Sequence, residues 1–412
     1  MSLSAHGPVW KRAAVVALVT VICRVAVLAV LPARAVSLDL SAWREVATML
    51  NHGQNPYASS FLNWPPLWMQ IIGEVSTASR ATGIPFALLL RLLLIVADAV
   101  NAMLAFIIAR RFLAIRAPER LLIVGVAANP VLILLTCQHA NFDALPVMAM
   151  LLFTMAFLRY RESGEPADWL AASFSLGIGV LLKTFPLVLA PLLMIRTREL
   201  AVRVRVLGVL LFIAPAAIGM STIYVLDPLD VRRYVLGYRS APGSFGITGL
   251  LTLAGLTDVI AGYGAIFPFI ALAALVFLGS VLWRSSDIEP SRFVLLAGVT
   301  LASLVAFGSG YGPQYIAWPL FFFVLSYACF DEKWRADVAV AGCVAAATYL
   351  IEYALVPYLG GFLMNASSPP RLWWWSDLIS DPRGAALLRL PLFACYLWLI
   401  ASARSRLTPL RA

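Results

Sequence analysis

Apolar runs of about 17 to 25 residues, long enough to cross a bilayer, recur along the whole chain with short polar turns between them. As a helix, such a run satisfies its own backbone hydrogen bonds in hydrocarbon. The pattern predicts spans near residues 13–31, 85–109, 121–137, 143–158, 169–182, 184–195, 206–225, 262–282, 292–308, 314–330, 336–356 and 384–402. The pair 169–182 and 184–195 is too short for two full spans. It reads as one helix broken at Lys183-Thr184-Phe185-Pro186, where proline removes a backbone donor and bends the chain. The expected fold is an all-α polytopic membrane protein. It forms a single integral membrane domain over residues 1–412, with no repeat of helix pairs and no soluble domain.

One stretch breaks this pattern. Residues 36 to 68, VSLDLSAWREVATMLNHGQNPYASSFLNWPPLW, follow directly on the first apolar run. Trp43, Val46, Met49 and Leu50 fall on one helical face, which predicts an amphipathic helix from Leu40 to Asn51. Asp39 stands just before it. That aspartate has two readings: an N-cap for the helix, or a carboxylate at the bilayer surface where a lipid headgroup and a water-borne group can meet. Residues 65–79 suit a juxtamembrane helix, since a crossing there would put Arg110, Arg111, Arg116 and Arg120 on the opposite side from the other basic turns.

Composition narrows the class. Hydrophobic residues make up 61% of the chain, charged residues 13%, and the mean hydropathy is +0.87, which excludes an ordinary soluble domain. The net charge of +10 follows the membrane and calls for no nucleic acid. Lys11, Arg12, the arginines from 110 to 120, and the basic turns near 160, 200, 290, 334 and 405 all fall on one face. By the positive-inside rule that face is cytoplasmic, with both termini, and the loop 32–84 lies outside. Lys11-Arg12 followed by Ala33-Arg34-Ala35 imitates a secretory signal, but the run from Ala13 to Leu31 exceeds a signal core and is expected to stay as a first helix. The five cysteines sit in or beside apolar runs without metal-ligand spacing, as small core residues do. Two further long loops, 226–246 and 357–383, share the outer face, and the second carries Trp373-Trp374-Trp375 as an interfacial anchor. Asn365-Ala366-Ser367 has the form of a glycosylation sequon, a triplet common by chance.

Several polar groups share that outer depth. Gln138-His139-Ala140-Asn141-Phe142-Asp143 forms a tight turn between spans. His139 and Asp143, four apart, read either as a ligand pair or as a base with its orienter; Asp143 or Asn141 could equally cap the next helix. Lys183, set among apolar residues, must be paired, face a cavity or snorkel to the interface. Arg232, Arg233 and Arg239 offer bidentate forks for a phosphate, or a solvated loop face. Tyr311, Gln314 and Tyr315 stand at the mouth of a span. Phosphate-cradling glycine loops, H-E-x-x-H and a Ser–His–Asp order are not found, so nucleotide-driven chemistry is not expected. Carboxylates, cations and aromatics together suit sugar hydroxyls and a phosphate leaving group.

These motifs resemble glycosyltransferase family 87, the bacterial polyprenol-phosphate-mannose-dependent mannosyltransferases of the GT-C superfamily. The resemblance rests on Asp39 with Gly53-Gln54-Asn55-Pro56-Tyr57 and Trp64-Pro65-Pro66-Leu67, on Gln138 to Pro146, on Leu182-Lys183-Thr184-Phe185-Pro186-Leu187, and on Gly312-Pro313-Gln314-Tyr315-Ile316-Ala317-Trp318. Trp64 stands where the family usually has tyrosine, and no second aspartate adjoins Asp39. The resemblance implies a GT-C-like bundle of about 11–13 transmembrane helices with juxtamembrane helices in the first outer loop, in a bacterial cytoplasmic membrane. It implies inverting transfer of a sugar, mannose by family default, from a polyprenyl phosphate donor to a hydroxyl of a lipid-linked or cell-envelope glycan acceptor. Asp39 would then be the catalytic base, and Lys183 with Arg232, Arg233 or Arg239 would meet the departing phosphate. Tyr57, Asn63, Trp64, His139, Asp143, Gln314 and Tyr315 would shape the sugar and acceptor pockets. A single phosphate can be met by side chains, so no obligatory cofactor or metal is expected, although a divalent cation would be compatible. The competing readings are a polytopic transporter or flippase and a non-catalytic assembly factor on a transferase scaffold.

Overall fold

A computed structural model describes residues 9–30, 37–58, 63–236, 242–285, 287–355 and 381–407. No strand occurs among them. Nine helices among the described residues are long and apolar enough to cross a membrane. The remaining expected runs form shorter pieces, for reasons visible in the sequence.

The chain divides into two compact units. The first holds residues 1–238 and 282–290. Its helices are α1 (Val9–Val30), α2 (Leu38–Asn51), α3 (Pro66–Thr82), α4 (Phe86–Phe112), α5 (Glu119–Ala127), α6 (Pro130–Leu134), α7 (Ala144–Ser163), α8 (Pro166–Leu182), α9 (Val202–Leu226) and the single turn α10 (Pro228–Asp230). α5 and α6 make one span bent at Asn129-Pro130, where the Asn129 carboxamide accepts the Val131 N–H at 3.0 Å and restarts the helix. The span ends in a π-helical turn, Leu135–His139, and Ala140 turns out of it at a left-handed φ of 54°.

The break at Lys183 is present, in a form the apolar spacing does not reveal. Lys183 is extended, at φ −159° and ψ 142°, and the following Phe185–Met194 is a 3₁₀ helix. Pro186 and Pro191 remove donors from this arm. A 3₁₀ helix rises about 2.0 Å per residue against 1.5 Å in an α-helix, so ten residues reach roughly 20 Å. The chain is thus carried back from Lys183 to Arg196 without a full second span.

The first unit has two chemically distinct ends. At one, Arg12 and Arg110 meet Glu119, Arg111 faces Glu162, Arg159 meets Asp168, Arg161 meets Asp287, and Arg196 meets Glu199. At the other, α2 and α3 pack on the ends of α4, α8 and α9. There Trp43, Tyr57, Trp68, Leu90, Phe142 and Val231 belong to one buried cluster. Trp68 stacks on Phe142 with centroids 4.4 Å apart and meets Trp43 edge-on at 5.2 Å. The helix expected over residues 65–79 is α3, with proline at its first turn and Gly83 at φ 72° closing it.

The second unit holds residues 239–281 and 291–412. It contains α11 (Gly246–Leu253), α12 (Thr257–Arg284, up to residue 281), α13 (Pro290–Phe307, from residue 291), α14 (Ala317–Tyr327), α15 (Glu332–Tyr349) and α16 (Pro382–Leu407). The run expected at 314–330 opens as a 3₁₀ turn, Pro313–Ile316, so α14 has only 11 residues. Gly246, at φ 61°, lies against α13, where a Cβ would come within 2.2 Å of the Ala306 carbonyl oxygen. Most of the loop 357–383, with Trp373, Trp374, Trp375 and Asn365, lies outside the described residues.

Candidate active site

Asp39 does not cap its helix. Ser37 does, its Oγ accepting the Leu40 N–H at 3.0 Å while its hydroxyl donates to the His139 carbonyl at 2.5 Å. This corrects the capping reading: the serine two residues earlier meets the free amide and docks the helix on the 138–143 turn. The Asp39 carboxylate sits in the first turn of α2, where the helix dipole favours negative charge.

Two donors hold that carboxylate. His139 Nε2 lies 2.9 Å from Asp39 Oδ2, and the Asn141 amide donates to the same oxygen at 2.7 Å. Oδ1 receives no hydrogen bond from the described residues, and the side chain keeps 21% of its surface exposed. Burial pushes the Asp39 pKa up. The imidazole of His139, the Asn141 amide and the Lys183 ammonium outweigh it and hold the carboxyl below its ordinary value. The group is therefore an oriented carboxylate whose Oδ2 is committed to two donors.

His139 and Asp143 each find a partner across the fold. Asp143 accepts from Lys183 Nζ at 2.5 Å, with side chains 3% and 13% exposed. The Asp143 side chain makes no capping bond; the Asn141 carboxamide accepts the Asp143 N–H instead, at 2.9 Å. Lys183 also lies 5.1 Å from the centre of the Phe142 ring. The extended residue at the end of α8 thus aims its ammonium at the turn that carries His139. Lys183 is half-buried and paired with the Asp143 carboxylate.

The other expected residues divide by location. Tyr57 is buried and donates to the Trp64 carbonyl at 3.1 Å, and burial pushes its phenol pKa up. Trp64 packs edge-on against Trp43 at 4.3 Å, and Asn63 is half-buried beside it. Arg232 and Arg233 are exposed on a π-helical turn, Val231–Leu236, whose Val231 enters the same buried cluster. Asn55 donates to Asp227 at 2.7 Å, tying the first loop to the start of that segment. Arg239 lies outside the described residues. Gln314 and Tyr315 belong to the second unit, where Tyr315 stacks on Trp318 at 3.9 Å and meets Tyr311 at 6.0 Å.

Sequence reasoning passed over two buried ion pairs inside spans. Arg24 Nε donates to Asp98 at 2.8 Å in the first unit, and Arg389 Nε donates to Glu352 at 2.6 Å in the second. The signal was present, an ionisable residue within an apolar run. Charge is thus not confined to the surfaces, as the loop pattern suggests. Asn141, weighed only as a cap, proves to be a donor to Asp39.

The family model for the GPI transamidase subunit PIG-U matches residues 34–229, short of half of the chain. That stretch contains Asp39, the 138–143 turn and Lys183. No curated protein matches the chain. Among solved structures, ArnT from Cupriavidus metallidurans, bound to undecaprenyl phosphate, is similar with a TM-score of 0.45 and 12% identity. The similarity covers 89% of this chain and 73% of that one.

Proposed function

We propose that this chain is an inverting membrane glycosyltransferase that moves a sugar, mannose by the family 87 resemblance, from a polyprenyl phosphate to an acceptor hydroxyl. The observation that carries the reading is the Asp39 carboxylate, gripped through Oδ2 by His139 and Asn141, with no hydrogen bond to Oδ1 from the described residues. In the proposed step Oδ1 takes the proton of the acceptor hydroxyl as its oxygen attacks the anomeric carbon. The bond from that carbon to the phosphate oxygen breaks, and its electron pair leaves with the polyprenyl phosphate. A single displacement inverts the anomeric centre. A base held within hydrogen-bond reach contributes about 10²–10⁴-fold, and confining two lipid-tethered reactants to one surface removes much of the encounter cost. Lys183, shared with Asp143, and the exposed Arg232 and Arg233 are the cations proposed to stabilise the phosphate. Basic residues at the far end of the unit support an extracytoplasmic site.

The PIG-U match supports a second reading, a subunit of a membrane transamidase complex that itself transfers no sugar. Asp39→Asn separates the two. Purified protein in nanodiscs would be given a panel of radiolabelled polyprenyl phosphate sugars, and donor binding and release of prenyl phosphate would be followed. The transferase reading expects Asp39→Asn to bind donor as the wild type does and to lose at least about 100-fold in turnover. Wild-type protein that turns over no donor refutes it.

A further inference from the structure

We infer that Arg24, Asp98 and Thr136 are positioning residues for the His139–Asp39 pair, acting through the π-helical turn Leu135–His139. This rests on the site reading above. Asp98 Oδ2 receives both Arg24 Nε at 2.8 Å and the Thr136 hydroxyl at 2.5 Å. One hydroxyl has one hydrogen. The charge-assisted bond to Asp98 is the stronger use of it than the alternative acceptor, the Leu132 carbonyl at 3.0 Å. Arg24 Nη1 donates to the Ala127 carbonyl at 2.8 Å, at the bend between α5 and α6, and the Cys137 thiol lies 3.3 Å from the Arg24 carbonyl oxygen. Helices α1 and α4 therefore grip the bent span at three points: residues 127, 136 and 137.

Two features argue that this grip serves position more than stability. The pair is almost fully buried, with side chains 0% and 3% exposed, and Arg24 Nη2 has no hydrogen-bond partner among the described residues. A buried ion pair with an unmet donor is a poor stabiliser compared with apolar packing. The segment it holds is π-helical, a geometry that adds a residue to the turn and re-aims every side chain after it. If the turn relaxed to α-helix, His139 would rotate by about 100° and leave Asp39. Thr136 lies within the turn, three residues before His139, and its bond to Asp98 pins the turn from below as Ser37 pins it from above.

The test uses Thr136→Val, nearly isosteric, with Thr136→Ser as the rescue, because Asp98→Ala would leave a buried arginine alone and could abolish folding. The chain has three histidines, His6, His52 and His139, so NMR of histidine-labelled full-length protein in nanodiscs resolves each ring, with His139→Gln giving the assignment. Thr136→Val is expected to shift the His139 ring resonances, leave those of His52 in place, and lower kcat about 10- to 100-fold with little change in KM. Thr136→Ser is expected to restore both. His139 resonances unmoved in folded Thr136→Val overturn the inference. A shifted His139 in a protein whose wild type transfers no sugar upholds it and removes the transferase reading instead.

Discussion

Asp39 stands between two opposing effects, burial, which favours the neutral acid, and donors and cations, which favour the ion. The second set prevails, so the folded pKa lies below the unfolded one. The sign follows: the stabilising contribution is complete above the ordinary value of 3.8 and is lost as the pH falls through the lower folded value. In its proposed role as base, Asp39 stays ionised over the same range. The midpoint of any acid loss of wild-type turnover assignable to Asp39 should therefore lie below the ordinary value of 3.8. His139→Gln removes the largest of the lowering influences and leaves burial in place. Its acid limb should move to higher pH, which a pH–rate profile under donor saturation would read. An acid limb that stays where it was in the wild type would mean that His139 does not tune the carboxylate. Asp143 and Lys183 form a second pair beside the first, and the Lys183 ammonium also acts on Asp39.

At the scale of elements, the site depends on irregular backbone at three places. The π turn aims His139, the 3₁₀ arm returns the chain after Lys183, and Gly53 at φ 66° folds the end of α2 back toward α3. Regular packing supplies the frame. Where α8 crosses α9, a Cβ on Gly177 would lie 2.5 Å from the Phe212 carbonyl oxygen, and one on Gly208 would lie 1.9 Å from the Trp169 ring. Small residues let two membrane helices approach this closely. Gly208→Ala should destabilise the protein by about 1–3 kcal/mol or more, seen as a lower Tm in detergent. Gly262→Ala, with nothing within 4 Å of its Cβ, is the control and should leave Tm unchanged or slightly raised. Equal effects at both positions would mean that helix propensity, and not the crossing, sets the outcome.

Across the whole molecule, charge distinguishes the ends of the first unit: arginine–carboxylate pairs at one, and the Asp39 and Lys183 clusters at the other. The positive-inside rule then predicts that Asp39 lies outside. In a cysteine-free background, Thr48→Cys on α2 should react with a membrane-impermeant maleimide applied to intact cells, while Ser163→Cys should react only after permeabilisation; both positions are exposed. The reverse pattern would turn the site to the cytoplasm and remove access to an outer-face acceptor. α9 and α12 expose long apolar flanks, as lipid-facing spans do.

Much of this was legible in advance. Apolar run length determined where the spans lie, because hydrocarbon leaves the backbone no partner but itself. The α2 face, the break at Lys183 and the grouping of Asp39, His139, Asp143 and Lys183 near one surface followed from spacing and order alone. Pairing was decided only by the tertiary structure. That Ser37 takes the cap and releases Asp39, that Asn141 and His139 share one carboxylate oxygen, and that Arg24 finds Asp98 are contacts between residues 74 to 102 positions apart, or within a turn whose backbone N–H has rival acceptors. A polar side chain has several partners of similar strength within reach, and their choice is set by which helices pack together. The periodicity of hydrophobic residues carries no record of that choice.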